Sequence, residues 1–299
     1  MQKLKPITIG ILLGITGMLT ACSSGEQSTK DHSQEHQITK ADQKQLNQCH
    51  TQLQGQTYQK AYDCYEPLAD KGIAGAQKAI GYLYGHGLGV KKDLDQEYQW
   101  YKKAAEQDYA PAQYNIGLMY DQGQGIKKNA EKAFDWYMKA AKQSFDKAEY
   151  QVGVMYASGD GVKKSDKKAV EWYQKAAKQG NVKAQFNLAM MYEKGRGVNQ
   201  SDQKAFDWMR QSADGGDIEA QYQLGLMLAD GQGADQNFEL AYTWMLVARH
   251  GLVEDSNHQH RLSGQKVDKM INQFASHLTD QQRKEAIVKA KKLAETMTQ

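Results

Sequence analysis

Ser165 lies three residues before Lys168, and Ser201 lies three residues before Lys204, in two stretches 36 residues apart. In serine acyl-transfer enzymes this spacing sets a nucleophilic hydroxyl near an amine that can take its proton. The companion motifs Ser-Asp-Asn and Lys-Thr-Gly are absent from the chain. The equivalent positions at multiples of 36 residues hold Asp93, Asn129 and Asn237. All of these residue types can cap a helix N-terminus, so we expect both serines to be N-caps.

The three cysteines are the next candidates for chemistry. Residues 19–22 read Leu-Thr-Ala-Cys, which resembles a bacterial lipobox, where cleavage before the cysteine exposes it for acylation. Lipidation of Cys22 leaves Cys49 and Cys64 as a pair, and an oxidising compartment permits a disulfide between them. A zinc site, or a catalytic thiol at Cys49 beside His50, is the alternative.

Histidines come close to metal-ligand spacing at two places. His32 and His36 lie four residues apart in a polar stretch that offers no third ligand. The second group consists of His250, His258 and His260 with Glu254 and Asp255. Both groups lie in polar segments, where exposed histidines without a metal are the commoner arrangement. We therefore predict no metal site and no cofactor.

These residues lie in or beside a repeat that dominates the chain. The stretch from Ala74 to Val253 consists of five copies of a 36-residue unit. All five tryptophans follow this period, at Trp100, Trp136, Trp172, Trp208 and Trp244. Two glycine columns follow it as well, at Gly87, Gly123, Gly159, Gly195 and Gly231 and at Gly89, Gly125, Gly161, Gly197 and Gly233. Such a period is typical of stacked helical hairpins.

One copy, residues 110–145, shows how each unit is built. Apolar residues at helical spacing predict a first helix, helix A. Gly123 and Gly125 then end it, because glycine readily adopts left-handed backbone conformations. Asn129 is expected to cap a second helix, helix B, whose apolar stripe includes Trp136. We expect this tryptophan to fill the wedge between neighbouring repeats.

The pattern resembles the Sel-1-like repeat, a 36-residue relative of the tetratricopeptide repeat. In one copy the resemblance rests on Ala148, Val152, Gly153, Tyr156, Gly159, Gly161, Val162, Ala169, Trp172, Tyr173, Ala176 and Ala177. It implies an all-α fold, a right-handed superhelical solenoid with helices A on its concave side. It also implies a protein-binding role. Some lipidated relatives are immunity proteins that sequester a toxin, and some cysteine-rich relatives have carried a β-lactamase label.

The concave side is the predicted binding surface. Overlaying the tetratricopeptide pattern gives the partner-binding residues Tyr114, Leu118, Tyr150, Val154, Phe186, Met190, Tyr222 and Leu226. An aromatic and aliphatic groove suits an extended peptide, a helix or a protein loop. The alternative is that these side chains pack against helix B or against each other. A second candidate surface is a ridge of paired lysines at Lys91, Lys92, Lys127, Lys128, Lys163 and Lys164.

The N-terminal segments predict export and anchoring. Residues 1–21 have the features of a lipoprotein signal peptide, with a basic start and an apolar segment too short to span a membrane. Residues 22–40 are polar and predict a flexible tether that begins at the lipidated Cys22. Ser23, by the usual sorting rule, implies the outer membrane.

Each end of the repeat array is expected to carry a helical cap. Residues 41–73 resemble a degenerate hairpin that lacks the repeat tryptophan. Pro67 falls inside its second helix and is expected to kink or end it. Residues 254–299 predict a C-terminal helical cap, whose last helix begins with a capping box of Thr279 and Gln282.

The net charge indicates which class of molecule the protein does not bind. The net charge is only +3, which argues against nucleic-acid binding. We predict a Gram-negative outer-membrane lipoprotein on the periplasmic side, a scaffold rather than an enzyme, that binds a periplasmic or envelope protein. Immunity against a toxin is the sharper version of this hypothesis. The alternative is an enzyme that acts on the cell wall or on β-lactams, with Ser165 and Ser201 as nucleophiles.

Overall fold

A computed structural model describes residues 38–254 and 262–297, which form fourteen helices and no strand. The helices are α1 (Lys40–Gln54), α2 (Tyr58–Asp70), α3 (Ala74–His86), α4 (Leu94–Ala105), α5 (Ala110–Gln122), α6 (Ala130–Lys142), α7 (Asp146–Ser158), α8 (Asp166–Lys178), α9 (Val182–Lys194), α10 (Asp202–Asp214), α11 (Ile218–Asp230), α12 (Phe238–Glu254), α13 (Gly264–Ala275) and α14 (Asp280–Met297). The predicted all-α class is confirmed. Several predictions concern residues outside the described ranges. They are those for the signal peptide, Cys22, most of the tether, His32, His36, Asp255, His258 and His260.

The repeats stack one after another. Helices A and B of each repeat pair as α3 with α4, α5 with α6, α7 with α8, α9 with α10 and α11 with α12. Each pair then packs against the next, α4 on α5, α6 on α7, α8 on α9 and α10 on α11. This is the arrangement of a solenoid, in which a repeat contacts only its neighbours, and the predicted solenoid is confirmed. Within the described ranges, no helix is long and apolar enough to cross a membrane.

The predicted N-cap column begins all five helices B. The side chains of Asp93, Asn129, Ser165, Ser201 and Asn237 each accept a hydrogen bond from a backbone N–H two or three residues further on. These bonds are between 2.8 and 3.3 Å long. A short oxygen-bearing side chain is favoured there because it satisfies an N–H that the first helical turn leaves unpaired. The N-cap interpretation of the column is confirmed.

The two glycine columns serve different purposes. The first ends each helix A in the left-handed conformation, with φ between 63° and 84°. The second is represented by Gly161, which has a φ of 67° and lies against the start of helix B of the preceding repeat. A Cβ on Gly161 would lie 2.3 Å from the carbonyl oxygen of Ala130. Gly125 and Gly197 approach the preceding repeat in the same way, so this column sets the distance between repeats.

Tyrosine, and not tryptophan, fills the space between helices A and B. Tyr137 is 1% exposed, and a Cβ added to Gly117 would lie 2.5 Å from its ring. Trp136 is only half-buried, and the Lys139 ammonium lies 3.9 Å from the centre of its ring. Adjacent helical residues point about 100° apart, so Trp136 faces away from this space and packs against the apolar cluster that α4 of the preceding repeat forms with α5, which agrees with the expected position between repeats. Trp244 is buried, since further helices pack on α12.

A column of buried polar side chains, which we call the glutamine ladder, runs through helices A. Its members are Gln77, Gln113, Glu149, Gln185 and Gln221. Each glutamine Nε2 donates to the backbone carbonyl eight residues earlier, over 3.1 to 3.3 Å. In the first three repeats the side-chain oxygen accepts from a glutamine at the end of helix B, over 2.7 to 2.8 Å. These donors are Gln107, Gln143 and Gln179.

The ladder is incomplete in the last two repeats. Gly215 and Gly251 occupy the positions that correspond to the donor glutamines. The side-chain oxygens of Gln185 and Gln221 accordingly have no hydrogen-bond partner within the part of the chain that the structure describes. A buried acceptor without a donor costs about 1–3 kcal/mol, so the ladder stabilises the first three repeats more than the last two.

The N-terminal hairpin contains the disulfide. Cys49 in α1 is bonded to Cys64 in α2, with Cα atoms 5.4 Å apart. Sulfur atoms bonded to each other are neither zinc ligands nor nucleophiles, which removes both alternatives. Helix α2 continues through Pro67 to Asp70, so the expected early end does not occur. Pro67 and Asp63 are both exposed, and water can therefore bind the carbonyl that loses its helical partner.

The C-terminal helices pack on the last repeat. Helix α12 has 17 residues against 13 in α6, and both α13 and α14 pack against it. The Arg249 Nε donates to Asp268 Oδ1 over 2.7 Å, which ties α12 to α13. Thr279 and Gln282 form the predicted capping box through bonds of 2.9 and 3.3 Å.

Candidate functional site

A groove crosses the side of the solenoid formed by α5, α7, α9 and α11, and we call it the helix A groove. Its larger part has a volume of about 730 Å³ and is lined by Tyr150, Val154, Phe186 and Tyr222 among others. Its smaller part, of about 390 Å³, is lined by Tyr114 and Tyr150 among others. Tyr150 lines both parts, so they form one groove. Five of the eight predicted partner-binding residues therefore line the same surface.

The other predicted residues have different surroundings. Leu118, Met190 and Leu226 are half-buried, pack against the hydrophobic core and line neither part of the groove. Tyr222 is 3% exposed, and Lys266 from α13 places its ammonium 5.0 Å from the centre of the Tyr222 ring. Contrary to expectation, Tyr222 offers almost no surface to a partner because the C-terminal helices cover it.

The aromatic side chains of the groove rest on neighbouring aromatic rings, most of them in helices B. The Tyr114 ring lies 5.5 Å, between centroids, from both Tyr137 and Phe145. The Tyr150 ring lies 6.0 Å from Tyr173. Packing against helix B, the alternative considered for this column, is thus present, yet the rings remain half-exposed and line the groove. Rings held in one orientation lose little conformational entropy when a partner binds.

The smaller part of the groove is positively charged. Lys147 and Lys183 line it, and none of the described residues lining it carries a carboxylate. Lys78 takes the place of the groove aromatic in the first repeat. Its pKa is lowered by burial and by the positive charge of Lys147, so these two ammonium groups repel each other. Lys147 therefore has no carboxylate beside it in this part of the groove, whereas Lys183 also lies near Asp217 of the larger part.

The larger part of the groove is closer to neutral. The Arg196 guanidinium donates two hydrogen bonds of 2.8 and 3.1 Å to Asp166. The Asp217 carboxylate caps α11 by accepting the Ala220 N–H over 2.8 Å. Burial raises the pKa of Asp217, although the nearby Lys183 counters part of this rise. These charges already have partners, which leaves the lysines of the smaller part as the distinctive electrostatic feature.

A column of amide side chains, which the sequence reasoning missed, runs beside the aromatic column. We call it the amide column, and its members are Asn115, Gln151, Asn187 and Gln223. All four are half-buried, and Gln151, Asn187 and Gln223 line the groove. The signal was the 36-residue period itself, because each amide directly follows a member of the aromatic column.

Comparison with known proteins identifies the repeat. The model of the Sel1 repeat matches residues 74–109, 110–145, 146–181, 182–217 and 218–248. A crystal structure of a Sel1 repeat protein from Oxalobacter formigenes is 31% identical with a TM-score of 0.66, over 83% of this chain and 99% of that chain. The chain belongs to the Sel1 repeat family. Sel1 repeats are protein-interaction modules, and this chain is a scaffold of that kind.

Two further solved structures resemble this Sel1 repeat protein. A protective antigen present in uropathogenic Escherichia coli strains is 32% identical with a TM-score of 0.72, over 84% of this chain. The match covers 52% of that antigen, so the present chain spans about half its length. An immunity protein of Pseudomonas aeruginosa is 18% identical with a TM-score of 0.47, over 69% of this chain and 80% of that chain. No curated protein matches the sequence.

The Ser-x-x-Lys motifs at Ser165 and Ser201 of this Sel1 repeat protein have the geometry of helix starts. Ser165 Oγ accepts the backbone N–H of Lys168 over 3.3 Å, and Ser201 Oγ does the same with Lys204. The Lys168 ammonium lies 5.1 Å from the centre of the Tyr156 ring, and Lys204 is placed equivalently. Each lysine is thus directed onto an aromatic ring of helix A, which makes a cation–π contact.

Metal-binding groups do not assemble in the described parts of the repeat array and its caps. No group of three or more histidine, cysteine, aspartate or glutamate side chains with metal-site geometry occurs among the described residues. His250 is exposed at the end of α12. The helix A groove is therefore the site that the structure presents for a partner.

Proposed function

We propose that this Sel1 repeat protein is a membrane-anchored periplasmic scaffold that binds an envelope or periplasmic protein through the helix A groove. The observation that carries the proposal is the line of half-exposed aromatic rings, Tyr114, Tyr150 and Phe186, one per repeat along a continuous groove. Aromatic anchors in a concave, partly desolvated site are the typical source of protein-binding energy.

The anchor and the compartment belong to the same proposal. Support comes from the lipobox-like residues before Cys22 and from the Cys49–Cys64 disulfide, since disulfides persist in oxidising compartments. Several acyl chains on Cys22, at about 0.8 kcal/mol per buried CH₂, would hold the protein on a membrane. We expect Cys22→Ser to move the protein from the membrane fraction to the soluble periplasmic fraction. Retention of this variant in the membrane fraction would contradict the anchor.

The binding site is tested by affinity capture from the envelope of the native host. The bait is the full chain with Cys22→Ser, compared with the same bait that also carries Tyr150→Ala and Phe186→Ala. A matched control bait carries Trp136→Ala and Trp172→Ala, which remove two half-exposed aromatic rings from helices B. All baits are first checked by circular dichroism for retained helix content.

We expect the first and control baits to capture one dominant protein that the groove variant loses. Loss of two interface aromatics costs roughly 2–4 kcal/mol or more, which is about 30-fold or more in affinity. If the groove variant still captures the partner, the binding site lies elsewhere on the protein, for example on the lysine ridge. Absence of any partner with the unmutated bait would contradict the scaffold proposal.

The immunity version of the proposal makes a separate prediction. It rests on the family resemblance of the sequence and requires the captured partner to be toxic in the periplasm. Co-expression of the present protein should then protect cells that export this partner, and the Tyr150→Ala, Phe186→Ala variant should not. A captured partner without toxicity would leave the scaffold proposal intact and remove its immunity version.

A further inference from the structure

We infer that the occupant of the helix A groove is an extended, acidic polypeptide segment. The amide column would hold its backbone, the aromatic column its apolar side chains, and the groove lysines its carboxylates. This inference rests on the proposed function and specifies the chemistry of the partner. Three features of the described residues carry it: the regular amides, the lysines that line the smaller part of the groove, and the C-terminal cap over the groove at the fifth repeat.

The amide column is suited to a peptide backbone. Each amide offers a donor and an acceptor, the two groups that an extended chain presents at every residue. Asn115 lies beside the Tyr101 hydroxyl and Asn187 beside that of Tyr173, so polar neighbours hold these side chains at the surface. A helical partner satisfies its own backbone groups and would leave the amides without a match. Regular amides one repeat apart therefore favour an extended segment.

The groove lysines favour an acidic segment. Lys147 and Lys183 line the smaller part of the groove, where no lining residue among those described is acidic. Lys78 and Lys147 repel each other, and a carboxylate between them would relieve this repulsion. Asp146, beside Lys147 in the chain, already accepts a hydrogen bond of 2.9 Å from the Asn181 amide. The charge of Lys147 is thus available to a carboxylate that the partner supplies.

The C-terminal cap limits where the segment can lie. Leu262 and Lys266 line the larger part of the groove at the fifth repeat, beside the buried Tyr222. Tyr114 and Phe186, in the second and fourth repeats, remain half-exposed in the described structure. The segment is therefore expected to run over the second to fourth repeats and to stop at the cap.

The inference is tested with labelled peptides on the full-length protein that carries Cys22→Ser. The first probe is a fluorescein-labelled peptide of about twelve glutamate, aspartate, leucine and tyrosine residues, long enough to cross several repeats. A second probe replaces every carboxylate by its amide. A third probe keeps the acidic sequence but is N-methylated at alternate backbone nitrogens, which removes N–H donors without changing charge. Fluorescence anisotropy measures the three affinities at low and at physiological salt.

We expect the acidic probe to bind and both altered probes to bind about tenfold more weakly, as loss of one or two hydrogen bonds or ion pairs implies. On the protein side, Lys147→Gln with Lys183→Gln should weaken the acidic probe about tenfold and reduce its salt dependence. The matched control is Lys127→Gln with Lys128→Gln, which removes the same charge from the exposed loop edge and should leave the affinity unchanged.

Three results would overturn the inference: no binding of the acidic probe at about 1 mM, equal binding of the amide probe, or equal binding of the N-methylated probe. These failures are distinct from failure of the proposed function. If the capture experiment finds a partner that needs Tyr150 and Phe186 while the acidic probe fails, the groove binds a protein of another chemistry. If the captured partner does not need those residues, the proposed function fails whatever the probes show.

Discussion

The glutamine ladder leads to a quantitative prediction at its one irregular member. Glu149 occupies the third position, where the other four repeats have a glutamine that donates to a backbone carbonyl eight residues earlier. An ionised glutamate has no hydrogen to donate, so the equivalent carbonyl, that of Ala141, lacks this side-chain donor and accepts only from backbone N–H groups such as that of Ser144, over 3.0 Å. We predict that Glu149→Gln stabilises the protein at neutral pH.

The size of the effect follows from the contacts of Glu149. A glutamine would add one buried hydrogen bond to the Ala141 carbonyl, a net gain of about 1 kcal/mol. The bond that Gln179 donates over 2.7 Å would remain, although it would no longer be charge-assisted, at a loss of about 0.5–1 kcal/mol. Burial raises the pKa of Glu149 despite Gln179 and Lys175, so the surroundings on balance disfavour the charge. The two changes in hydrogen bonding leave a gain of up to about 0.5 kcal/mol, and removal of the disfavoured charge adds to it, so we expect a gain of about 0.5–1 kcal/mol.

The gain in stability from Glu149→Gln must depend on pH, because it depends on the charge of Glu149. Because the pKa of Glu149 is higher in the folded state, the folded protein binds more protons than the unfolded chain between the two pKa values. The stability of the parent therefore falls as pH rises through this window. Below about pH 4.3 the carboxyl is protonated in both states and can itself donate to the carbonyl. We expect the advantage of Glu149→Gln to be near zero there and complete above the folded-state pKa.

The assay is urea unfolding followed by circular dichroism, near pH 4 and near pH 7.5. Transition midpoints are compared because a repeat array need not unfold in a single step. Glu171→Gln makes the same chemical change at an exposed position of α8 and should alter stability by less than about 0.5 kcal/mol. A Glu149→Gln protein less stable than the parent at neutral pH, or an advantage of equal size at both pH values, would refute the reasoning.

Three further predictions follow from the packing. Gly161→Ala should lower stability by about 2 kcal/mol more than Gly180→Ala, because both glycines have positive φ but only Gly161 touches the preceding repeat; equal losses in urea unfolding would contradict this close approach. Replacing Cys49 and Cys64 by alanine should destabilise the N-terminal hairpin by about 3 kcal/mol, seen as faster hydrogen exchange in α1 and α2; unchanged exchange would speak against it. Tyr137→Phe removes a buried hydroxyl that lies near the Asp121 carboxylate without a hydrogen bond of normal length in the described structure, and it should leave the melting temperature unchanged or raised, whereas a marked fall would show that the hydroxyl donates to Asp121.

Much of the fold could be predicted because every repeat uses the same residue types to begin and end its helices. Asn129 and Ser165 share a column that accepts only short oxygen-bearing side chains, which identified N-caps and argued against a nucleophilic role for Ser165. Gly123 ends its helix in the left-handed conformation, as its position after an apolar helical stretch indicated. Tyr114 and Tyr150 line the groove, as the resemblance implied.

Other features depend on which segments meet in space. Whether Trp136 or Tyr137 faces helix A depends on the rotation of helix B about its axis. Gly117 lies opposite and, having no side chain, leaves the space that the Tyr137 ring occupies. Glu97 breaks a column of alanines and is nevertheless buried, since Gly85 leaves room for its carboxylate and Gln124 donates to it over 3.1 Å.

The sequence by itself thus determined the repeat, its helix boundaries and its capping residues, because those follow from interactions within a few residues of the chain. The burial of Tyr222 under Lys266 and the glutamine ladder were decided only by the tertiary structure. The contact between Lys266 and Tyr222 and the ladder's bonds from Gln107, Gln143 and Gln179 join residues 30 or more positions apart along the chain. Burial and pairing at that separation depend on how whole helices pack, and no local pattern records it.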